Sequence, residues 1–107
     1  MSSVNPIDVP GLEELRKKGP VTLVDVRTEA EVARGIIAGA KHVPLQTLSA
    51  RYTELDPQAV TVVYCQSGGR SAQAGAWLAE KGFGQIYNLQ GGVLAWVRSG
   101  FSLTPFG

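Results

Sequence analysis

The chain has one cysteine and one histidine among 107 residues. A lone cysteine cannot close an internal disulfide, so the fold does not depend on oxidation. It also leaves no resolving thiol, and anything carried on that sulfur must depart to an outside acceptor. One cysteine and one histidine are too few for a dedicated structural zinc site. An excess of either charge is missing too. The net charge is +1, which gives neither a nucleic-acid footprint nor a polybasic membrane patch. No apolar run approaches the ~20 residues of a bilayer-spanning helix. The opening MSSVNPIDVP lacks the basic start and apolar core of a secretory signal, so the expected location is the cytoplasm. No internal repeat, low-complexity tract or interdomain linker is found.

What is present is ordinary in amount, with 44% hydrophobic and 18% charged residues. That composition and length describe one compact domain. Residues 1–6 and 101–107 read as loosely held tails around a core of about 7–100. Ile7-Asp8-Val9 reads as a short first strand. Pro10 then suits the first turn of a helix with Leu12 and Leu15 on one stripe, stopped by Gly19-Pro20. Val21–Val26 is apolar on both faces, the pattern of a covered parallel strand. Thr28 and Glu31 form a capping box for a short helix ending near Gly35. A brief strand follows at His42-Val43, and then a helix from about Leu45 to Tyr52.

The decisive stretch is VTVVYCQSGGRS at 60–71. An apolar, β-branched strand runs straight into Cys65; a glycine loop follows, and Ser71 opens an alanine-rich helix over 71–81 that Gly82 ends. A thiol at the foot of a helix faces unpaired N–H groups and the positive end of the helix dipole, which lowers its pKa. A last strand at Ile86–Leu89 and a helix at about Val93–Ser99, joined by Gly91-Gly92, complete the chain. Alternating strands and helices imply right-handed crossovers and a mainly parallel sheet of about five strands with helices on both faces. Ligands of such sheets bind at the carboxyl ends of the strands, where Cys65 lies.

This loop resembles the active-site loop of the rhodanese family of sulfurtransferases. Further blocks of resemblance are LVDVRTEAE at 23–31, IIAGAKHVP at 36–44 and NLQGGVLAW at 88–96. They imply a single rhodanese-like α/β domain over 1–107 whose cysteine carries a persulfide. The implied chemistry is ping-pong covalent catalysis. The Cys65 thiolate takes the sulfane sulfur of thiosulfate or a related donor and hands it to cyanide, a thiol or a protein acceptor. No metal or organic cofactor, nucleic acid or membrane partner is implied.

Each candidate residue has a plainer role beside the functional one. Cys65 could be a small buried hydrophobe, but the flanking loop and helix start favour the nucleophile. Gly68 and Gly69 clear side chains from the cradle that the N–H groups of residues 66–71 would form around the sulfur. Gln66 and Ser67 would flank the sulfur and tune donor preference. Arg70 is either an attractor of anionic donors or a clamp on the loop or a neighbouring carboxylate, and both readings stand. Ser71 is read as an N-cap. Asp25, Arg27 and Glu31 are supporting residues, with an Arg27–Glu31 pair as one arrangement. Some larger family members carry a basic residue where Glu31 stands, which weakens the case for thiosulfate as the natural donor. His42 is read as a surface or edge-strand residue, and Trp77 and Trp96 as helix packing.

Two rival functions are weighed. The first is a phosphatase or arsenate reductase; cysteine-dependent phosphatases use Cys-x5-Arg, whereas Cys65 to Arg70 is Cys-x4-Arg, a cradle better suited to one sulfur than to a tetrahedral oxyanion. A sulfur relay or partner-binding module with little turnover is the other.

Overall fold

The computed structural model describes residues 4–106. Val4–Ile7 (β1), Thr22–Asp25 (β2), Lys41–His42 (β3), Thr61–Tyr64 (β4) and Ile86–Leu89 (β5) form one parallel sheet in the order β1-β5-β4-β2-β3. The helices are Val9–Lys18 (α1), Glu29–Val32 (α2), Leu48–Arg51 (α3), Gly69–Glu80 (α4) and Gly92–Arg98 (α5). Among the described residues, no helix is long and apolar enough to cross a membrane.

Strand alternation decides what lies on each face. Val62 and Tyr64 of β4 pack with Val9 and Leu12 of α1 and Val93 and Trp96 of α5. Val63 and Cys65 point the opposite way, into the layer made by Leu48 of α3 and Ala74 and Leu78 of α4. The period of two thus puts the thiol on the α4 side. Small side chains let α4 come close: a Cβ added at Gly75 would stand 3.1 Å from Val4 Cγ1 and 3.3 Å from Ile86 Cγ2.

Four expectations from the sequence are corrected. The first strand is Val4–Ile7 rather than Ile7–Val9, because Asp8 caps α1 by accepting from Gly11 N at 2.8 Å. Pro6 is tolerated because β1 is an edge strand. The segment 45–54 is not one helix. It is a 3₁₀ turn, the four residues of α3 and a second 3₁₀ turn, with Thr47 Oγ1 donating back to the Pro44 carbonyl at 3.0 Å. The ends are not loose where described: residues 4–6 lie in β1, and the C-terminal segment is fastened to the body. Phe101 stacks on Trp96 at 4.5 Å, Trp96 Nε1 donates to Ser102 O, and Thr104 pairs with Ile36 in an antiparallel bridge. Residues 1–3 and 107 lie outside the described residues. Finally, α4 begins at Gly69, two residues before the expected start at Ser71.

Tyr64 links the central strand to the loop before β3. Its ring is fully buried and its hydroxyl accepts from Ile37 N at 3.1 Å. Burial and then the Asp25 carboxylate push its phenol well above the ordinary value, so it stays neutral. Tyr64→Phe leaves that buried N–H unpaired and is expected to cost about 1–3 kcal/mol in chemical denaturation. An unchanged midpoint would mean that the N–H finds another acceptor.

Candidate active site

The strand pairing builds the site. β2 and β4 end level, with Asp25 opposite Tyr64, and Val26 N donates to Tyr64 O at 3.1 Å. The DVR segment and the Cys65 loop therefore leave the sheet side by side.

Cys65 follows β4 directly and is 1% exposed. Gly68, at φ +121, occupies the N-cap position of α4 but offers no side chain to the free helix donors. The sulfur takes that place. Gly68 N donates to Cys65 Sγ at 3.1 Å, and Ser71 Oγ lies 3.3 Å from it. Burial pushes the thiol up, but the Ser71 hydroxyl and the backbone N–H groups of Ser71, Gly68 and Ser67 outweigh it, and the thiol lies below its ordinary value. Gln66, Ser67 and Gly69 are exposed around the sulfur, while Gly68 and Arg70 are half-buried.

The floor of the loop comes from α5. Val93 N donates to Cys65 O at 3.0 Å and Leu94 N to Gln66 O at 3.2 Å. In a trans peptide the C=O and the next N–H point in opposite directions. Holding the Gln66 carbonyl against α5 therefore turns the Ser67 N–H toward the sulfur. This approach requires Gly92, at φ +50, where a Cβ would overlap the Cys65 carbonyl oxygen and stand 2.7 Å from the Gln66 carbonyl oxygen. Asn88 closes the other side, its Nδ2 donating to Gly68 O at 3.1 Å and its Oδ1 lying 2.6 Å from Ser71 Oγ.

The charged residues pair off. Arg27 grips Asp25 with Nε and Nη2, the latter at 2.9 Å, and also donates to Gly35 O at 2.7 Å, all buried. Arg70 makes a two-pronged pair with Glu31, Nη1 to Oε1 at 2.7 Å and Nη2 to Oε2 at 2.8 Å. Glu31 also completes the capping box with Thr28. The Arg70 guanidinium, against some burial and with help from Thr28, holds the Glu31 carboxyl down at about 2. Among the described residues, no group of three or more His, Cys, Asp or Glu is placed to hold a metal.

Over residues 8–99 the sequence matches the rhodanese-like domain family. The chain belongs to that family. A sulfurtransferase of Allochromatium vinosum is 42% identical over 101 residues, covering 94% of each chain. The thiosulfate sulfurtransferase GlpE of Ectopseudomonas mendocina is 36% identical over 96 residues, covering 90% of this chain and 87% of its own. Among solved structures, a rhodanese-related protein of Thermoplasma volcanium superposes with a TM-score of 0.85 at 29% identity, over 94% of this chain and 97% of its own.

Within this rhodanese-like domain, Cys65, Gln66, Ser67, Gly68, Gly69, Arg70 and Ser71 form one loop and helix start, with Asp25, Arg27 and Glu31 beside it. Two details differ from the sequence reading. Ser71 is not the N-cap; it is the third residue of α4, and its buried hydroxyl faces Cys65, Asn88 and Gly68 O. Glu31 pairs with Arg70 instead of Arg27, because Arg27 is taken up by Asp25, two residues away at the strand end. Arg70 accordingly sits on a carboxylate, one of its two readings. His42 lies on edge strand β3, with its Nε2 at 2.7 Å from Arg27 O. A carbonyl only accepts, so Nε2 bears a proton there. The sequence reading missed Asn88 and Gly92, although the Gly91-Gly92 pair after a strand marked a close backbone approach.

Ser71→Ala should raise the pH midpoint of Cys65 alkylation by a small haloacetamide, because it removes the side-chain contact favouring thiolate. An unchanged midpoint would leave the backbone N–H groups as the whole cause. Gly92→Ala should destabilise by about 2 kcal/mol or more in thermal or chemical unfolding, since a methyl there meets backbone that cannot turn aside. It should also raise the alkylation midpoint, because the loop amides are displaced. Wild-type behaviour in both measurements would contradict the role given to α5.

Proposed function

We propose that this protein is a sulfurtransferase that moves a sulfane sulfur from thiosulfate or a related donor, through a Cys65 persulfide, to cyanide, a thiol or a protein acceptor. The observation that carries the reading is the buried Cys65 sulfur in a cradle of N–H and hydroxyl groups with a lowered thiol pKa. The family and the sulfurtransferase names of its relatives support it.

The thiolate attacks the outer sulfur of the donor. With thiosulfate, the donor's S–S bond breaks, its electron pair leaves on sulfite, and a new S–S bond joins Cys65 to the transferred sulfur. The same N–H groups receive the negative charge of the persulfide. An acceptor nucleophile then attacks the terminal sulfur and restores the thiolate, forming thiocyanate when the acceptor is cyanide. The sulfur rides on the protein, so the cycle needs no metal or organic cofactor. With its only cysteine loaded, the chain hands the sulfur to an external acceptor. A phosphatase reading is disfavoured because Arg70 is clamped on Glu31 instead of being free to clasp a phosphate.

Intact mass after incubation with thiosulfate and desalting tests this reading. The wild type should gain one sulfur atom, lose it on addition of cyanide, and cycle repeatedly when both are supplied; Cys65→Ala should gain nothing. A reactive thiol that gains no sulfur from thiosulfate or from any other sulfane donor would overturn the proposal.

A further inference from the structure

The charges around the Cys65 loop are almost completely cancelled. Arg27 is neutralised by buried Asp25, and Arg70 by Glu31 in a two-pronged pair at 2.7 and 2.8 Å. Arg34, on the surface nearby, has no carboxylate partner among the described residues. Arg27, Glu31, Arg34 and Gln66, the residue after the cysteine, line one cavity of about 190 Å³ with Leu94 and Leu103 along its apolar side. Glu31 is thus part of the wall beside the loop as well as a cap of α2. Its carboxylate is held from two directions, by Arg70 and by Thr28 N and Oγ1 at 3.0 and 3.1 Å, so it does not drift from the guanidinium. Arg70 is also near enough to Cys65 for the thiolate's charge to act on it.

We propose that Glu31 determines donor specificity: by cancelling Arg70, it makes the Cys65 loop discriminate against dianionic sulfane donors and favour donors carrying one negative charge or none. Glu31 acts through Arg70 and is a positioning residue. The inference rests on the sulfurtransferase reading and adds a substrate class to it. A dianion gains twice the attraction of a monoanion from each net positive charge near the sulfur. With Arg70 offset, Arg34 is the one unpaired cation lining the recess among the described residues. Freeing Arg70 adds one net charge, which for a half-exposed group several ångströms from the donor favours dianion over monoanion by roughly three- to tenfold.

Thiosulfate and the methanethiosulfonate anion, CH3SO2S−, make a matched pair of probes. In each, Cys65 thiolate attacks the terminal sulfur, the donor's S–S bond breaks, and the electron pair leaves on sulfite or methanesulfinate. The two differ by one unit of charge. Initial rates for wild type, Glu31→Gln, Arg70→Gln and the double variant would be measured with cyanide as acceptor, at low and high salt. Glu31→Gln should lower the thiosulfate KM with little change in kcat and raise the thiosulfate-to-methanethiosulfonate ratio of kcat/KM roughly three- to tenfold. Arg70→Gln leaves Glu31 uncompensated and should lower that ratio by a similar factor. The double variant should return it to the wild-type value, and high salt should flatten all the differences. A purely structural pair would not shift the ratio in opposite directions. Ratios that stay constant across the folded variants overturn the specificity proposal while leaving the sulfurtransferase reading intact. A wild type whose reactive thiol gains no sulfur from these two donors or from any other sulfane donor overturns both.

Discussion

The site depends on the grip of α5 on the loop that follows β4. Two N–H groups at the start of that helix take the carbonyls of Cys65 and Gln66, leaving the opposite edge of the Gln66–Ser67 peptide facing the sulfur. A loop of glycines and small polar residues has many conformations, and without this anchor the N–H groups would find water. Gly92 makes the grip possible, since any side chain at that position meets the carbonyls it must bring close. The lowered thiol pKa therefore comes from the Ser71 hydroxyl together with backbone N–H groups held in place from outside the loop. The chain's one histidine, His42, is engaged with the Arg27 carbonyl at the sheet edge.

The ion pairs solve a second problem, that of holding charged groups beside the Cys65 sulfur. A buried guanidinium needs a carboxylate and good geometry, and Arg27 has both in Asp25 while its remaining donor reaches Gly35 O. The Arg70–Glu31 pair lies nearer the surface and joins the loop to the cap of α2. One carboxylate thus orders a helix start, closes the loop and sets the net charge beside the thiol.

The fold was largely legible in the chain. Covered strands read as apolar runs at 21–26 and 60–64; the Thr28–Glu31 capping box and the stop signals at Gly19 and Gly82 stand where they were expected. The failures share a cause. β1 lies earlier than the apolar pattern suggests because Asp8 is a cap and not strand, and Val4–Pro6 carries little pattern of its own; it is a strand because β5 offers it a partner. The C-terminal segment looked like a tail because its fastening is the Thr104–Ile36 bridge and the stack on Trp96, contacts that no local pattern records.

By itself the sequence determined the parallel α/β architecture and the position of Cys65 at the end of the central strand, because both follow from local periodicity and from a strand, glycine loop and helix met in succession. Tertiary structure alone decided which carboxylate each arginine takes, that Ser71 faces the sulfur from inside α4 instead of capping it, and that Asn88 and Gly92 shape the cradle. Those choices depend on the level at which β2, β4 and β5 end and on the approach of α5, distances between segments that are remote along the chain.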